Sequence, residues 1–260
     1  MHHRKYRFIV GFLLAPLALY VVFVVSPNLQ AVYYSFTDWS GYTQGQNFIG
    51  FDNYVRLAHD QDFWHALRNN GLLLAVLPIL TISLGLLFAF LINIGGRRQG
   101  AIASGLRGSR FYSAVYFFPY LLSVAIIAVL WQQSYNPQGG IVPKTLSAVG
   151  IDPPPEGMLG SPDTALWACI GVAVWHAVGF YVVLFSAGIA SIPKDIFEAA
   201  ALDGVNRLAM FFRITLPLLW DNVQVAFVYL GIIALDFFAI VNIMTPHPEA
   251  IQRSDRKSVV

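Results

Sequence analysis

Apolar residues in this chain gather into five runs, Phe8 to Val25, Gly71 to Ile94, Tyr112 to Trp131, Leu166 to Ile189 and Leu218 to Ile243. They do not recur at the helical or alternating period of a half-buried element. Each run is about 18 to 26 residues, long enough to cross a bilayer as a helix. The first four contain no Asp, Glu, Lys or Arg. A spanning segment must satisfy its own backbone hydrogen bonds, and none of these runs alternates as a membrane β-barrel strand would. The pattern therefore predicts an all-α integral membrane protein, a polytopic helical bundle of five transmembrane helices.

Composition agrees: 57% of the 260 residues are apolar and 12% are charged, the charged share being about half that of a soluble domain. The net charge of +2 is uninformative in itself, but its distribution sets an orientation. With the amino terminus inside, the inner segments hold Arg4, Lys5, Arg7, Arg97, Arg98, Arg107, Arg110, Lys194, Arg207 and Arg213, and the two outer loops hold only Arg56, Arg68 and Lys144. The outer loops instead carry Asp38, Asp52, Asp60, Asp62, Asp152, Glu156 and Asp163. That asymmetry places the amino terminus in the cytoplasm of a multi-pass protein. The basic residues before the first run resemble a secretory signal, but the apolar stretch is longer than a signal core and no small-x-small cleavage site follows, so a retained helix is expected. Cys169 is the single cysteine and reads as a small packing residue.

Between the runs, Ser26 to Asn70 forms a long outer loop in which Asp62 is the expected N-cap of an amphipathic turn through Phe63, Trp64 and Leu67. The second outer loop, with Pro137, Gly139, Gly140, Pro143 and Pro153 to Pro155, reads as irregular cover. Gly95 to Arg110 is a basic, glycine-rich connector suited to anionic lipid headgroups. Gly171, Trp175 and Gly179 share a helix face at a spacing that signals close packing. There is no internal repeat and no G-x-x-x-x-G-K-S/T loop, so nucleotide hydrolysis is expected on another chain.

The most informative stretch is Ser191 to Pro217, in a cytoplasmic loop by the charge asymmetry. Pro193 suits a first helical turn, Asp195 and Glu198 have capping-box spacing, and Glu198 to Leu202 is a strong helix former. Gly204 follows Asp203 where a helix can end through a left-handed residue. A second amphipathic segment with Leu208, Phe211, Phe212 and Ile214 then leads to Pro217. The result is a helix-turn-helix at the membrane surface. Its small side chains, Ala199 to Ala201, admit a close partner, and Glu198 and Asp203 can fix register.

Glu198, Ala199, Ala200, Asp203, Gly204, Phe211, Ile214, Leu216 and Pro217 match the pattern E-A-A-x-x-D-G-A-x(5)-F-x-x-I-x-L-P, Val205 departing from the usual alanine. The segment resembles the EAA loop of binding-protein-dependent ABC importer permeases. Tyr20, Pro27, Ser35-Phe36, Trp39, Phe48 to Tyr54, Asp62, Phe63, Ala66-Leu67, Asn69 and the F-F-P-Y of Phe117 to Tyr120 resemble the carbohydrate branch, similar to maltose and glycerol-phosphate permeases. The resemblance implies a type I importer fold and alternating-access import of a sugar or sugar derivative across the bacterial cytoplasmic membrane. It implies that the matched loop couples to the ATPase. The implied partners are a second permease subunit, an ATP-binding cassette ATPase dimer that binds ATP and Mg, an extracytoplasmic sugar-binding protein, and membrane lipid. It implies no cofactor on this chain, no catalytic residue and no nucleic-acid partner. No metal site is read, the six histidines being scattered.

Residues 1 to 246 are thus expected to form the transmembrane domain, with the coupling loop at 191 to 217. Residues 247 to 260 read as an atypical polar tail. The family would continue into a Gly-Gly-Pro loop and a sixth span, and that sixth helix is expected to be missing here. A frameshift or truncation after Pro246 is expected to account for this, and an inactive permease fragment is one alternative. The other is a secondary transporter, supported only by Asp236, an ionisable residue at membrane depth. An intramembrane enzyme lacks a set of reactive groups in the spans. Asp236, His176 and Tyr181 are the interior polar candidates for a substrate path.

The orientation is testable by labelling. In a Cys169→Ala background, Ser40→Cys should react with a membrane-impermeant maleimide on intact cells, and Lys194→Cys only after permeabilisation. The reverse pattern would invert the topology.

Overall fold

The computed structural model describes residues 2–42, 46–94 and 108–245. Most of the Gly95–Arg110 connector and the whole 247–260 tail therefore lie outside the described residues. Two compact units are formed, Met1–Arg68 and Asn69–Val260.

In the first unit, α1 (His2–Tyr20), a π-helical turn (Val21–Val25) and α2 (Ser26–Tyr34) follow one another without a break, and α3 (Asp52–His59) comes after a short loop. Gly11–Tyr34 is long and apolar enough to cross a membrane, and none of it is buried within the chain. The first span thus extends well past Val25, and the outer loop expected from Ser26 begins later. Pro27 lies just after the π-helical turn, where the altered hydrogen-bond ladder accommodates its missing N–H. The loop is pinned by an isolated antiparallel bridge between Thr37 and Phe48. Asn47 donates its backbone and side-chain N–H to the Asp38 carboxylate at 2.8 and 2.9 Å. These bonds hold Asp38 below the usual carboxylate range. Asn53 donates to the carbonyls of Ser35 and Thr37.

Helix α4 (Gln61–Ile94) is 34 residues long and runs through Pro78 without a break. Its start corrects an expectation: the Asp62 backbone N–H donates to the Asp60 carboxylate at 2.9 Å, so Asp60 caps the helix and Asp62 lies inside its first turn. The other spanning helix of the second unit is α8 (Pro162–Ser191).

The third and fifth apolar runs are not straight spans. α5 (Ser109–Phe117) tightens into a 3-10 turn at Phe118–Leu121, and α6 (Val124–Ser134) leaves at 94°. Pro119 removes a helical donor, and Leu122 and Ser123 are extended at ψ 145° and 139°. After α8 come α9 (Lys194–Leu202), α10 (Arg207–Met210), a π-helical turn (Phe211–Thr215) and α11 (Leu216–Leu218). α12 (Trp220–Leu235) then departs at 71°. A π turn followed by Pro217 is a known cause of such a kink. α12 stops at Asp236, and α13 (Phe238–Met244) is a separate short helix. Among the described residues, three helices are therefore long and apolar enough to span, or up to five if each bent pair counts as one span. The second outer loop also departs from expectation, since it contains the helix α7 (Ile141–Ala148).

Two apolar clusters organise the second unit around α4 and α8. One joins Leu73, Leu77, Ile127, Cys169, Phe237 and Met244. The other joins Phe90, Phe185, Ala200, Met210, Leu219 and Leu230. Asn93 adds a polar tie, donating to Ser186 Oγ at 2.9 Å, and Gln132 donates to the Ile243 carbonyl at 3.2 Å. Buried Cys169 fills core space, as expected.

Close approach to α8 depends on glycine. A Cβ at Gly179 would collide with the Tyr116 carbonyl, and one at Gly188 would meet Leu219 Cδ2 at 2.6 Å. Gly171, expected to share this role, is exposed with nothing within 4 Å of a built Cβ. Gly179→Ala should therefore destabilise the detergent-solubilised protein by about 1 to 3 kcal/mol, as overpacking does. Gly171→Ala should be neutral or stabilising by up to about 1 kcal/mol. Thermal midpoints of the two variants check this, and equal midpoints would contradict it.

Candidate functional site

The Ser191–Pro217 segment folds as a helix-turn-helix. Pro193 is the residue before α9, not within its first turn, and no side-chain cap forms there, so the capping-box spacing of Asp195 and Glu198 is not used. The far end is built as the sequence suggests. Gly204 takes φ +76°. Val205 N–H donates to the Ala200 carbonyl at 3.0 Å and Gly204 N–H to the Ala201 carbonyl at 3.2 Å, the paired bonds of a Schellman ending. Asn206 then caps α10, its side chain accepting from Ala209 N–H at 2.8 Å.

This geometry sorts the matched residues into two faces. Ala200 is buried, and Phe211, Ile214 and Leu216 are partly buried, all packed into the cluster that contains Phe185, Leu219 and Leu230. Phe211 meets Phe90 of α4 edge-on, with ring centroids 5.0 Å apart. Ala199, Asp203, Gly204 and Pro217 are exposed, and Glu198 is half-buried. Leu202 and Leu208, missed in the motif reading, are 77% and 71% exposed, which makes them apolar contact points on the outer surface. For Leu202 a signal was present: it lies one turn on from Glu198 and Ala199, at the spacing that keeps side chains on one helix face.

A second feature lies between the helices. A cavity of about 510 Å³ is lined by Leu77 of α4, Tyr120 and Ser123 at the α5–α6 break, His176 of α8, Ile233 of α12 and Asp236 just past the end of α12. Two of the three interior polar candidates thus share one space. Asp236 is there because α12 ends beside it: its backbone N–H donates to Ile232 and Ile233 carbonyls at 3.3 and 3.1 Å, and its side chain is exposed. His176 Nε2 is buried without a partner. Tyr120 stacks against His176 and Phe180, neighbours one turn apart on α8, with centroids at 5.6 and 4.9 Å. Tyr120 is a cavity residue that the sequence did not single out for this space.

Tyr181, the third candidate, does not line this cavity. It is 1% exposed, and its Cβ lies 3.0 Å from where a Cβ on Gly85 would stand. Five residues beyond His176, it points roughly 140° round α8 from it, since a helix turns about 100° per residue. Its buried hydroxyl has no partner, and neither has that of Thr81.

Residues 72–254 match the family model described as "Binding-protein-dependent transport system inner membrane component". The diacetylchitobiose uptake system permease protein of Streptomyces coelicolor is 42% identical over 244 residues, covering 94% of this chain and 69% of the relative. The multiple sugar-binding transport system permease protein of Streptococcus mutans is 35% identical, covering 84% of this chain and 70% of that one. Among solved structures, a bacterial ABC transporter involved in the import of the acidic polysaccharide alginate superposes with a TM-score of 0.75 at 23% identity. That match covers 95% of this chain and 80% of the other.

The Schellman ending is directly testable. Gly204→Val forces a β-branched residue into the left-handed region, costing at least about 1 to 2 kcal/mol. It should speed proteolytic cleavage and amide exchange between residues 202 and 206, whereas Val205→Ala should leave both within about two-fold. Unchanged exchange in Gly204→Val would mean that the turn does not need its glycine.

Proposed function

Because this chain belongs to the family of inner membrane components of binding-protein-dependent transport systems, we propose that it is a permease subunit importing a sugar or sugar derivative by ATP-driven alternating access. The sugar class follows from relatives whose names specify a diacetylchitobiose uptake system and a multiple sugar-binding transport system. In this reading ATP and Mg are bound by a partner ATPase dimer, a second permease subunit completes the path, and an extracytoplasmic binding protein delivers the sugar. The chain itself has no ATPase site, and its amino terminus is cytoplasmic.

The observation that carries the proposal is the two-faced loop. Its outer face offers Glu198, Ala199, Leu202 and Asp203 for docking in the ATPase. Its inner face, through Ala200, Phe211, Ile214 and Leu216, is packed against α4, α8 and α12. A displacement of the docked face would be carried to the helices lining the cavity, because close-packed side chains transmit shifts instead of absorbing them. Pro217 and the π turn before it, at the 71° kink, are where the loop joins α12. Asp236 and His176 would then belong to the translocation path.

The test is uptake by the assembled importer in vesicles. N,N′-diacetylchitobiose and a panel of neutral oligosaccharides serve as substrates, with ATP inside. Glu198→Lys combined with Asp203→Lys should lower ATP-driven uptake at least about ten-fold through lost register with the ATPase, with unchanged membrane insertion. Uptake that survives this double change would remove the loop from the coupling mechanism.

A further inference from the structure

Asp236 is the one acid lining the cavity, and no Lys or Arg lines it among the described residues. The rest of the wall is aromatic or aliphatic apart from Ser123 and His176. We propose that this cavity selects by charge: it admits neutral saccharides and excludes uronates and sugar phosphates, with Asp236 as the discriminating residue. The proposal deepens the permease reading above and rests on it.

Three features of the wall match a neutral sugar. A pyranose presents apolar C–H faces that pack on aromatic rings, and Tyr120, stacked with His176 and Phe180, offers such a platform. Its hydroxyls need both donors and acceptors. His176 Nε2, buried and unpartnered, is one such group, and the Asp236 carboxylate can accept from two neighbouring hydroxyls at once. The start of α6 also opens here, since Ser123 makes no side-chain cap and lines the cavity. Its backbone N–H groups can meet hydroxyl oxygens.

The same wall opposes an anion. The carboxyl end of α12 and the amino end of α13 meet at Asp236 and Phe237, so their opposed partial charges offset. What remains is the amino end of α6, roughly half a positive charge, against a full negative charge on Asp236. The balance is negative. Two carboxylates within a few ångströms in so apolar a space repel strongly enough to weaken binding by at least about ten-fold.

The test uses the assembled importer in lipid nanodiscs without its binding protein, so that selectivity belongs to the membrane subunits. Saturation-transfer difference NMR compares cellobiose and N,N′-diacetylchitobiose with the anionic cellobiouronic acid. The wild type should bind the neutral probes and bind the acid at least about ten-fold more weakly. Asp236→Asn, which removes one acceptor oxygen, should weaken the neutral probes by up to about three-fold and bring the acid within about three-fold of them, while an unchanged thermal midpoint reports an intact fold. His176→Ala should weaken neutral and acidic probes alike. Equal binding of the acid by the wild type, or unchanged discrimination in Asp236→Asn, overturns charge selection alone. No binding of either class by any form removes the saccharide reading itself, and the proposal with it.

Discussion

Between helices in a bilayer there is little hydrophobic driving force, because an acyl chain is as apolar as a leucine side chain. Close fit and the few available hydrogen bonds must hold the bundle together. In this protein that constraint falls on α8. Gly179 lets the α5 backbone at Tyr116 approach, Gly188 makes room for Leu219 at the kink before α12, and Gly85 on α4 accommodates the Cβ of Tyr181. These three contacts set the distance of α8 from each neighbour. The Asn93–Ser186 hydrogen bond adds a direction along the α4–α8 seam.

Once α8 is held this way, the loop and the cavity become parts of one body. Tyr181, Phe185 and Ile189 in the later part of the helix belong to the same apolar cluster as Ala200 and Met210 of the loop and Leu230 of α12. The part bearing Cys169 to Val174 belongs to the cluster that contains Leu77, Phe237 and Ile240. Leu77 and Leu230, one from each cluster, both line the cavity. A continuous run of packed side chains therefore leads from the Ser191–Pro217 loop to the proposed sugar path, a physical route for mechanical coupling between the two.

The breaks in the helices are as consequential as their packing. A straight fifth helix from Leu218 to Ile243 would have carried Asp236 inside the span with its backbone fully bonded in a helical ladder. Instead α12 ends at that residue, and the α5–α6 break brings Tyr120 and Ser123 to the same space. Irregular backbone at membrane depth is tolerated where it lines a cavity, because groups freed from the helix can then find other partners. The polar wall and the irregular backbone thus have a common cause.

The existence and approximate placement of the apolar segments, the helix-turn-helix from Ser191 to Pro217 and its ending at Gly204 were legible in the sequence. All rest on local terms: uncharged runs of spanning length, helix propensity, and the left-handed conformation that glycine adopts freely. Asp236 and His176 could be named as interior polar groups for a similarly local reason, the cost of a polar group in an apolar run. Tertiary structure alone decided the rest. Pro78 passes through α4 unbroken whereas Pro119 precedes a 94° turn, a difference set by neighbouring helices that no window of sequence contains. The same holds for Ala200 turning inward while Ala199 stays exposed, for Tyr181 entering the core instead of the cavity, and for Asp236 and His176 lining one cavity. Each depends on helix rotation and distance, which in lipid are fixed by how well surfaces far apart in the chain fit together.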